Sequence, residues 1–311
     1  MDFVGVVGSG GFIGSAVAAR LEARGIAHRS ISRISGIDAQ PGDPLKIATK
    51  SFQTNSSAFG EILEQFSRLT AIVNCAGAAT PTSRDHTNMW QTNTLLPCLL
   101  SVLCQASSNQ PRLIHVSSAA VQGNSRTLDE TPHTNPLSLY ASTKASAERA
   151  LLEAHSYKKT TIYRATSVMG AERSISQQLA RLYSGPISPI VGSGKAQLPL
   201  ASLENTADAL VFLATHPTSK QIALHPWEGA TQLSVANALR SERAIRVRLP
   251  LPSGAERVSR RVTSLPAPLG PILRRVDLQV FGQQQIASTL PDLGFVAKGD
   301  LHQTLREIGG R

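Results

Sequence analysis

Aromatic residues are scarce in this chain, at 5% of 311 residues, with two tryptophans and three methionines. A core of this size must then rest on Ala, Val, Leu and Ile. The stacking aromatics of a nucleic-acid platform are not interleaved with its basic residues. Cysteine is nearly absent as well. Cys75, Cys98 and Cys104 fit a reducing compartment, lack metal-site spacing and read as small core residues, so no metal is expected. No apolar run reaches the roughly 18 residues that span a bilayer, so no membrane segment is expected. The opening MDFVGVVGSGGFIG has no basic leader, and glycines break its apolar stretch. The resulting expectation is a soluble cytoplasmic protein.

What is present is globular composition, with 41% hydrophobic and 17% charged residues. The formal charge is 31 − 21 = +10. The basic residues are dispersed, densest over 240–248 and 257–261, with Arg274 and Arg275 beyond. Without interleaved aromatics they argue weakly for nucleic acid, and none is expected as a partner. A phosphate-bearing small substrate, met by residues such as Arg181, Lys195 and Arg274, accounts for them as well as solubility does.

Short apolar runs alternate with helical spacing through the N-terminal half. Strands are expected over 3–7, 27–32, 71–74, 112–117 and 160–164, and helices over 12–24, 59–69, 89–105 and 139–155. Such alternation predicts an α/β fold, a doubly wound parallel Rossmann sheet, over 1–170. After Gly170 the chain becomes rich in Pro and Gly. Residues 171–311 are expected to form a smaller mixed substrate lobe covering the strand ends. Within it a helix over 203–215, capped by Asn205 or Thr206, packs back on the Rossmann domain.

Gly8, Gly11 and Gly14 form G-x-x-G-x-x-G between the first strand and the first helix. A tight turn there needs residues that tolerate positive φ, and missing Cβ atoms let a pyrophosphate approach the helix N-terminus. Gly8, Gly10, Gly11, Phe12, Ile13 and Gly14 are therefore assigned to a dinucleotide cofactor. The second strand ends in Ser32-Arg33, with no acidic residue before Asp38. A small residue followed by a guanidinium suits a ribose 2′-phosphate, so NADP is expected, with NAD as the alternative.

Tyr140 and Lys144 stand four residues apart on an expected helix and so share a face. A free tyrosine titrates near pH 10. A neighbouring ammonium stabilises its phenolate, which suits it to move a proton to or from a substrate oxygen. Lys144 can also hold the cofactor ribose. Ser117 and Ser118 end a strand at the sheet's carboxyl edge, where a hydroxyl can orient the reacting oxygen.

Together these segments resemble the extended short-chain dehydrogenase/reductases, specifically the NAD-dependent epimerase/dehydratase group of UDP-glucose 4-epimerases and sugar-nucleotide reductases. Gly8 to Gly14 resembles the nucleotide loop, and Tyr140 and Lys144 the catalytic pair. Ser118, five residues before Gly123, resembles the catalytic Ser/Thr. The resemblance implies a catalytic role for Asn93 and cofactor contacts for Asn74, Ala76, Gly77, Lys144, Arg164 and Thr166. The segment around Glu204, Asn205 and Asp208 resembles the family's later helix opening. Gln122 stands where members often carry Tyr. The acidic residue usual after the third strand, near the adenine, is missing if Phe52 or Gln53 holds that position. Ala119-Ala120 replaces the Asp-Glu pair of sugar 4,6-dehydratases, which argues against dehydration.

The resemblance implies two enzyme readings. One is an NADPH-dependent ketoreductase of a sugar nucleotide; the other is a nucleotide-sugar 4-epimerase with tightly bound NAD. A homodimer paired through helices like 89–105 and 139–155 is implied too. A non-catalytic nucleotide-sensing or RNA-binding protein on the same fold is the third reading, and the intact Ser/Tyr/Lys set speaks against it.

Overall fold

The structure, a computed structural model, describes residues 3–32, 34, 40, 42–78, 85–153, 157–240, 244–251, 254, 255, 259 and 277–310. Its earlier elements are β1 (Phe3–Val7), α1 (Phe12–Ala23), β2 (Ala27–Ile31), α2 (Pro44–Thr54), α3 (Gly60–Phe66), β3 (Ala71–Asn74), α4 (His86–Trp90), α5 (Leu96–Ala106), β4 (Arg112–Ser118), β5 (Thr127–Leu128), α6 (Leu139–Leu152) and β6 (Thr160–Ala165). The later ones are β7 (Ser167–Met169), α7 (Ser174–Ser184), β8 (Ile187–Val191), β9 (Leu200–Ser202), α8 (Leu203–Thr215), β10 (Ile222–Leu224), α9 (Gln232–Leu239), β11 (Ile245–Leu249), β12 (Gln284–Gln285) and α10 (Leu301–Ile308).

The chain divides into two compact units, and the division is discontinuous. The first holds Met1–Val121, Glu130–Arg164 and Ala207–Ala223; the second holds Gln122–Asp129, Ala165–Thr206 and Leu224–Arg311. In this division Ala165–Thr206 belongs to the second unit, where β7 pairs with β9 in a separate parallel ribbon.

A six-stranded sheet of order β10-β6-β4-β3-β1-β2 organises the first unit. The pairs β1–β2, β1–β3 and β3–β4 are parallel. The chain leaves β1 toward β2, then returns to β3 and proceeds the other way. The direction of winding therefore reverses between β1 and β3, and ligands of open α/β sheets bind outside the carboxyl ends of strands at such a point. All four residues of β3 are buried, as a strand covered on both faces requires. Leu99, Leu100 and Leu103 of α5 are wholly buried against this layer. Each such side chain contributes about 1.5–3 kcal/mol through removal from water.

Several expected boundaries move. The helix expected over 59–69 splits into a 3-10 turn, Ser56–Phe59, and α3. The one expected over 89–105 begins earlier, at His86, and a π-helical turn, Gln91–Leu95, separates α4 from α5. Phe52 and Gln53 do not follow a third strand. They lie inside α2, and among the described residues no strand stands between β2 and β3. An acidic residue does precede that helix: Asp43 caps it, accepting from Leu45 N at 3.0 Å and Lys46 N at 3.2 Å, with Pro44 at the first helical position. The cap of α8 is likewise corrected. Asn205 and Thr206 sit inside its first turn, and the Ser202 hydroxyl accepts from Asn205 N at 3.1 Å.

The second unit packs Leu179, Tyr183, Ile190, Leu198, Val235, Leu239 and Leu305 into its own core. β8 pairs with β11 and β5 with β12. Gln122 braces the short segment before β5 and after it: its Nε2 donates to Asp129 Oδ1 at 2.6 Å, and its Oε1 accepts from Asp129 N at 3.0 Å. Arg181 and Lys195 are exposed; Arg274 lies outside the described residues. No described helix is long and apolar enough to cross a membrane.

Candidate active site

The glycine turn is shaped by close approach. Gly8 has φ +77, a conformation that L side chains rarely adopt. A Cβ on Gly14 would lie 2.0 Å from the Gly8 carbonyl oxygen, so that position admits only glycine. A Cβ on Gly10 would meet nothing within 4 Å among the described residues. Gly11 caps α1 without a side-chain bond, and no acidic residue occupies the first turn. This is a cradle for an anion at a helix N-terminus, and it fits the pyrophosphate of a dinucleotide. Phe12 and Ile13 are half-buried, and Ser32 is exposed at the end of β2. Arg33, expected at the 2′-phosphate, lies outside the described residues.

The loop after β3 abuts this turn, since a Cβ on Gly8 would reach Ala76 N at 2.8 Å. Ala76 is half-buried and Gly77 exposed. Asn74, expected on the cofactor, is fully buried. Its Oδ1 accepts from Ala76 N at 3.1 Å, and its Nδ2 faces His115 Nδ1 at 3.2 Å. Because Asn74 Oδ1 is taken, Nδ2 is the donor, which assigns the His115 proton to Nε2. Burial, with Lys144 adding to it, holds the His115 imidazole well below its usual range, so it stays neutral.

Ser118 ends β4, half-exposed. Its Oγ accepts from Ala120 N at 3.2 Å, and its own O–H donates to no described residue. Ser117 points inward, donating to Glu148 Oε1 at 2.5 Å. The serine available to a substrate is therefore Ser118. Tyr140, half-buried, and Lys144 stand one turn apart on α6, whose start is capped by Ser138. Lys144 is buried, and its Nζ donates to the Val116 carbonyl at 2.8 Å, two residues before Ser118. A Cβ on Gly77 would come within 3.5 Å of that Nζ. The ends of β3 and β4 and the start of α6 thus meet at Lys144.

Two further residues of the expected site are buried and bonded within the protein. Asn93 is wholly buried in the π turn. Its amide is spent on Ala78 and on Thr143 Oγ1. Arg164 is also wholly buried. Its Nη2 pairs with Glu148 Oε2 at 2.7 Å, its Nε lies 3.2 Å from both carboxylate oxygens, and its Nη1 donates to the Thr131 carbonyl at 2.7 Å. An arginine so enclosed braces α6 against β6. Thr166 belongs to the second unit, where it is buried and its hydroxyl has no partner among the described residues. Asp208 is buried and accepts from Arg20 Nε at 3.0 Å and from Arg24 Nη2.

Glu148 escaped the sequence reading although its spacing shows it. Tyr140, Lys144 and Glu148 repeat every four residues along one face of α6. Burial pushes the Lys144 ammonium down to about 8, while Cys75 and Glu148 pull it up. In the protein without cofactor the Lys144 ε-carbon should titrate with a midpoint near 8 by NMR of labelled lysine. Its charge is present below that pH and lost above it. A midpoint at the ordinary 10.5 would show that burial does not act on it. Burial pushes the Cys75 thiol up to about 12, so it stays protonated and is no nucleophile.

The fold and this cradle define a dinucleotide-binding enzyme with a serine, a tyrosine and a lysine at the carboxyl end of its sheet. The sequence profile of the NAD dependent epimerase/dehydratase family matches residues 4–224, and the chain belongs to that family. It is accordingly an enzyme of the short-chain dehydrogenase/reductase type that uses a nicotinamide cofactor. None of the curated proteins compared with the chain matches it. Among solved structures it is similar to the UDP-glucuronic acid 4-epimerase of Bacillus cereus in complex with NAD, at 16% identity and TM-score 0.63, over 98% of this chain and 94% of that one. A human epimerase family protein with NADPH shares 19% identity at TM-score 0.64, over 99% of both chains. The dTDP-glucose 4,6-dehydratase of Bacillus anthracis in complex with NAD shares 15% at TM-score 0.63, over 100% and 96%. At such identities these likenesses show the fold.

Proposed function

We propose that the enzyme is a ketoreductase of a sugar nucleotide that works with NADPH. The observation that carries the chemistry is Ser118, its O–H uncommitted among the described residues, at the end of the strand whose Val116 carbonyl anchors Lys144, one turn from Tyr140. The bound nicotinamide supplies the hydride. Ser118 Oγ donates to the substrate carbonyl oxygen and orients it. Tyr140 Oη delivers a proton to the same oxygen as it gains charge. The Lys144 ammonium stabilises the phenolate left behind.

Ser32-Arg33, with no carboxylate before Asp38, supports the 2′-phosphate of NADPH. The human relative was crystallised with that cofactor. The UDP and dTDP sugars in the names of the two bacterial relatives support a nucleoside-diphosphate sugar as the substrate class. Ala119 and Ala120, in the 3-10 turn after Ser118, offer no acid or base for a dehydration. The protein is expected to emerge from purification without bound dinucleotide and to bind NADPH tighter than NADH, with Arg33→Ala removing the difference. Stoichiometric NAD released on denaturation would overturn the reductase in favour of the epimerase, which keeps its cofactor through oxidation and return.

A further inference from the structure

We infer that Thr143, the residue just before Lys144, is the positioning residue that locks the start of α6 to the loop after β3. The inference rests on the proposed use of Tyr140 and Lys144. Thr143 is buried. Its Oγ1 donates to the Tyr140 carbonyl at 2.9 Å and accepts from Asn93 Nδ2 at 3.1 Å. Its own carbonyl accepts from Thr94 Oγ1 at 2.7 Å. Two successive side chains of the π turn therefore grip this one residue.

Asn93 carries the connection onward. Its Oδ1 accepts from Ala78 N at 2.9 Å, and its Nδ2 donates to the Ala78 carbonyl at 3.1 Å. The amide has two N–H groups, one spent on Ala78 and one on Thr143, and the single hydroxyl proton goes to Tyr140. Every donor is committed, so the chain from Ala78 through Asn93 and Thr143 to Tyr140 has one arrangement. Ala78 follows Gly77, whose missing Cβ position lies 3.5 Å from Lys144 Nζ and 3.6 Å from Asn93 Oδ1. The same node thus fixes how far the loop stands from the lysine and how the first turn of α6 presents the phenol. The Lys144 bond to Val116 does not pass through it.

The test compares Thr143→Val, which keeps the volume and deletes the hydroxyl, with Thr143→Ser, which restores it. Asn93 then loses its buried acceptor, and loss of one such bond predicts roughly tenfold faster exchange of the Ala78 amide in Thr143→Val. A fall of about tenfold in kcat is expected with it, since a small displacement of catalytic groups is costly. KM for the substrate and the shape of the pH profile should hold, because Lys144 keeps its anchor. Thr143→Ser should recover both exchange and kcat, which a merely packing role would not predict. Unchanged Ala78 exchange in Thr143→Val, or unchanged kcat, overturns the inference. Should the wild type reduce no ketone with either nicotinamide cofactor, the functional reading fails, and the Ala78 amide still decides whether the clamp exists.

Discussion

Tyr140→Phe is expected to lower turnover by about 10²–10⁴-fold, the range that a positioned proton donor supplies. The substitution removes one oxygen from a half-buried ring at the second position of α6. The Ser138 cap bonds Ala141 N and the Thr143 hydroxyl bonds the Tyr140 carbonyl, so neither depends on the phenol. The glycine cradle lies on another element. Dinucleotide affinity should therefore stay within about threefold while the chemical step collapses, the signature of an interaction made only in the transition state. Turnover within a factor of ten of wild type would remove Tyr140 from its role. Ser118→Ala should be milder, because it deletes an orienting hydrogen bond and leaves the proton donor in place.

The sheet and the candidate site were legible for different reasons. AIVN at 71–74 and the glycine turn at 8–14 carry local signals, namely a doubly buried strand and a backbone that must leave the usual φ region. Tyr140 and Lys144 were legible by spacing. What stayed hidden was direction. Asn74, Asn93 and Arg164 stand in motif positions, and nothing in a residue's type says whether it lines a site or braces it. In each case the structure shows a buried side chain bonded to its neighbours. The π turn was hidden because its apolar spacing resembles an ordinary helix. α2 was hidden because only Leu45, Ala48 and Phe52 of its apolar face join the core, although Asp43-Pro44 marks its start.

Arg164→Leu should cost about 3–5 kcal/mol of folding stability, the penalty for leaving a buried charge without its partner. Glu148 is 1% exposed, and it sits where α6, β4 and β6 converge. With the guanidinium gone, the Ser117 hydroxyl is the remaining bond to the carboxylate among the described residues, and the Arg164 bond to the Thr131 carbonyl is lost. Thermal and urea unfolding report the loss. Adding Glu148→Leu to Arg164→Leu should restore part of it, because an apolar pair leaves no uncompensated charge. The coupling between the two sites, read from a double-mutant cycle, should then be large and favourable to the intact pair. Equal and additive losses would mean that the bridge is not what holds α6 to the sheet. The cycle also bears on the site itself. Glu148 pulls up the Lys144 proton affinity from one turn away, so Glu148→Leu should let the lysine titrate below about 8. A brace behind the site would then reach the proposed catalytic tyrosine through the charge on the lysine between them.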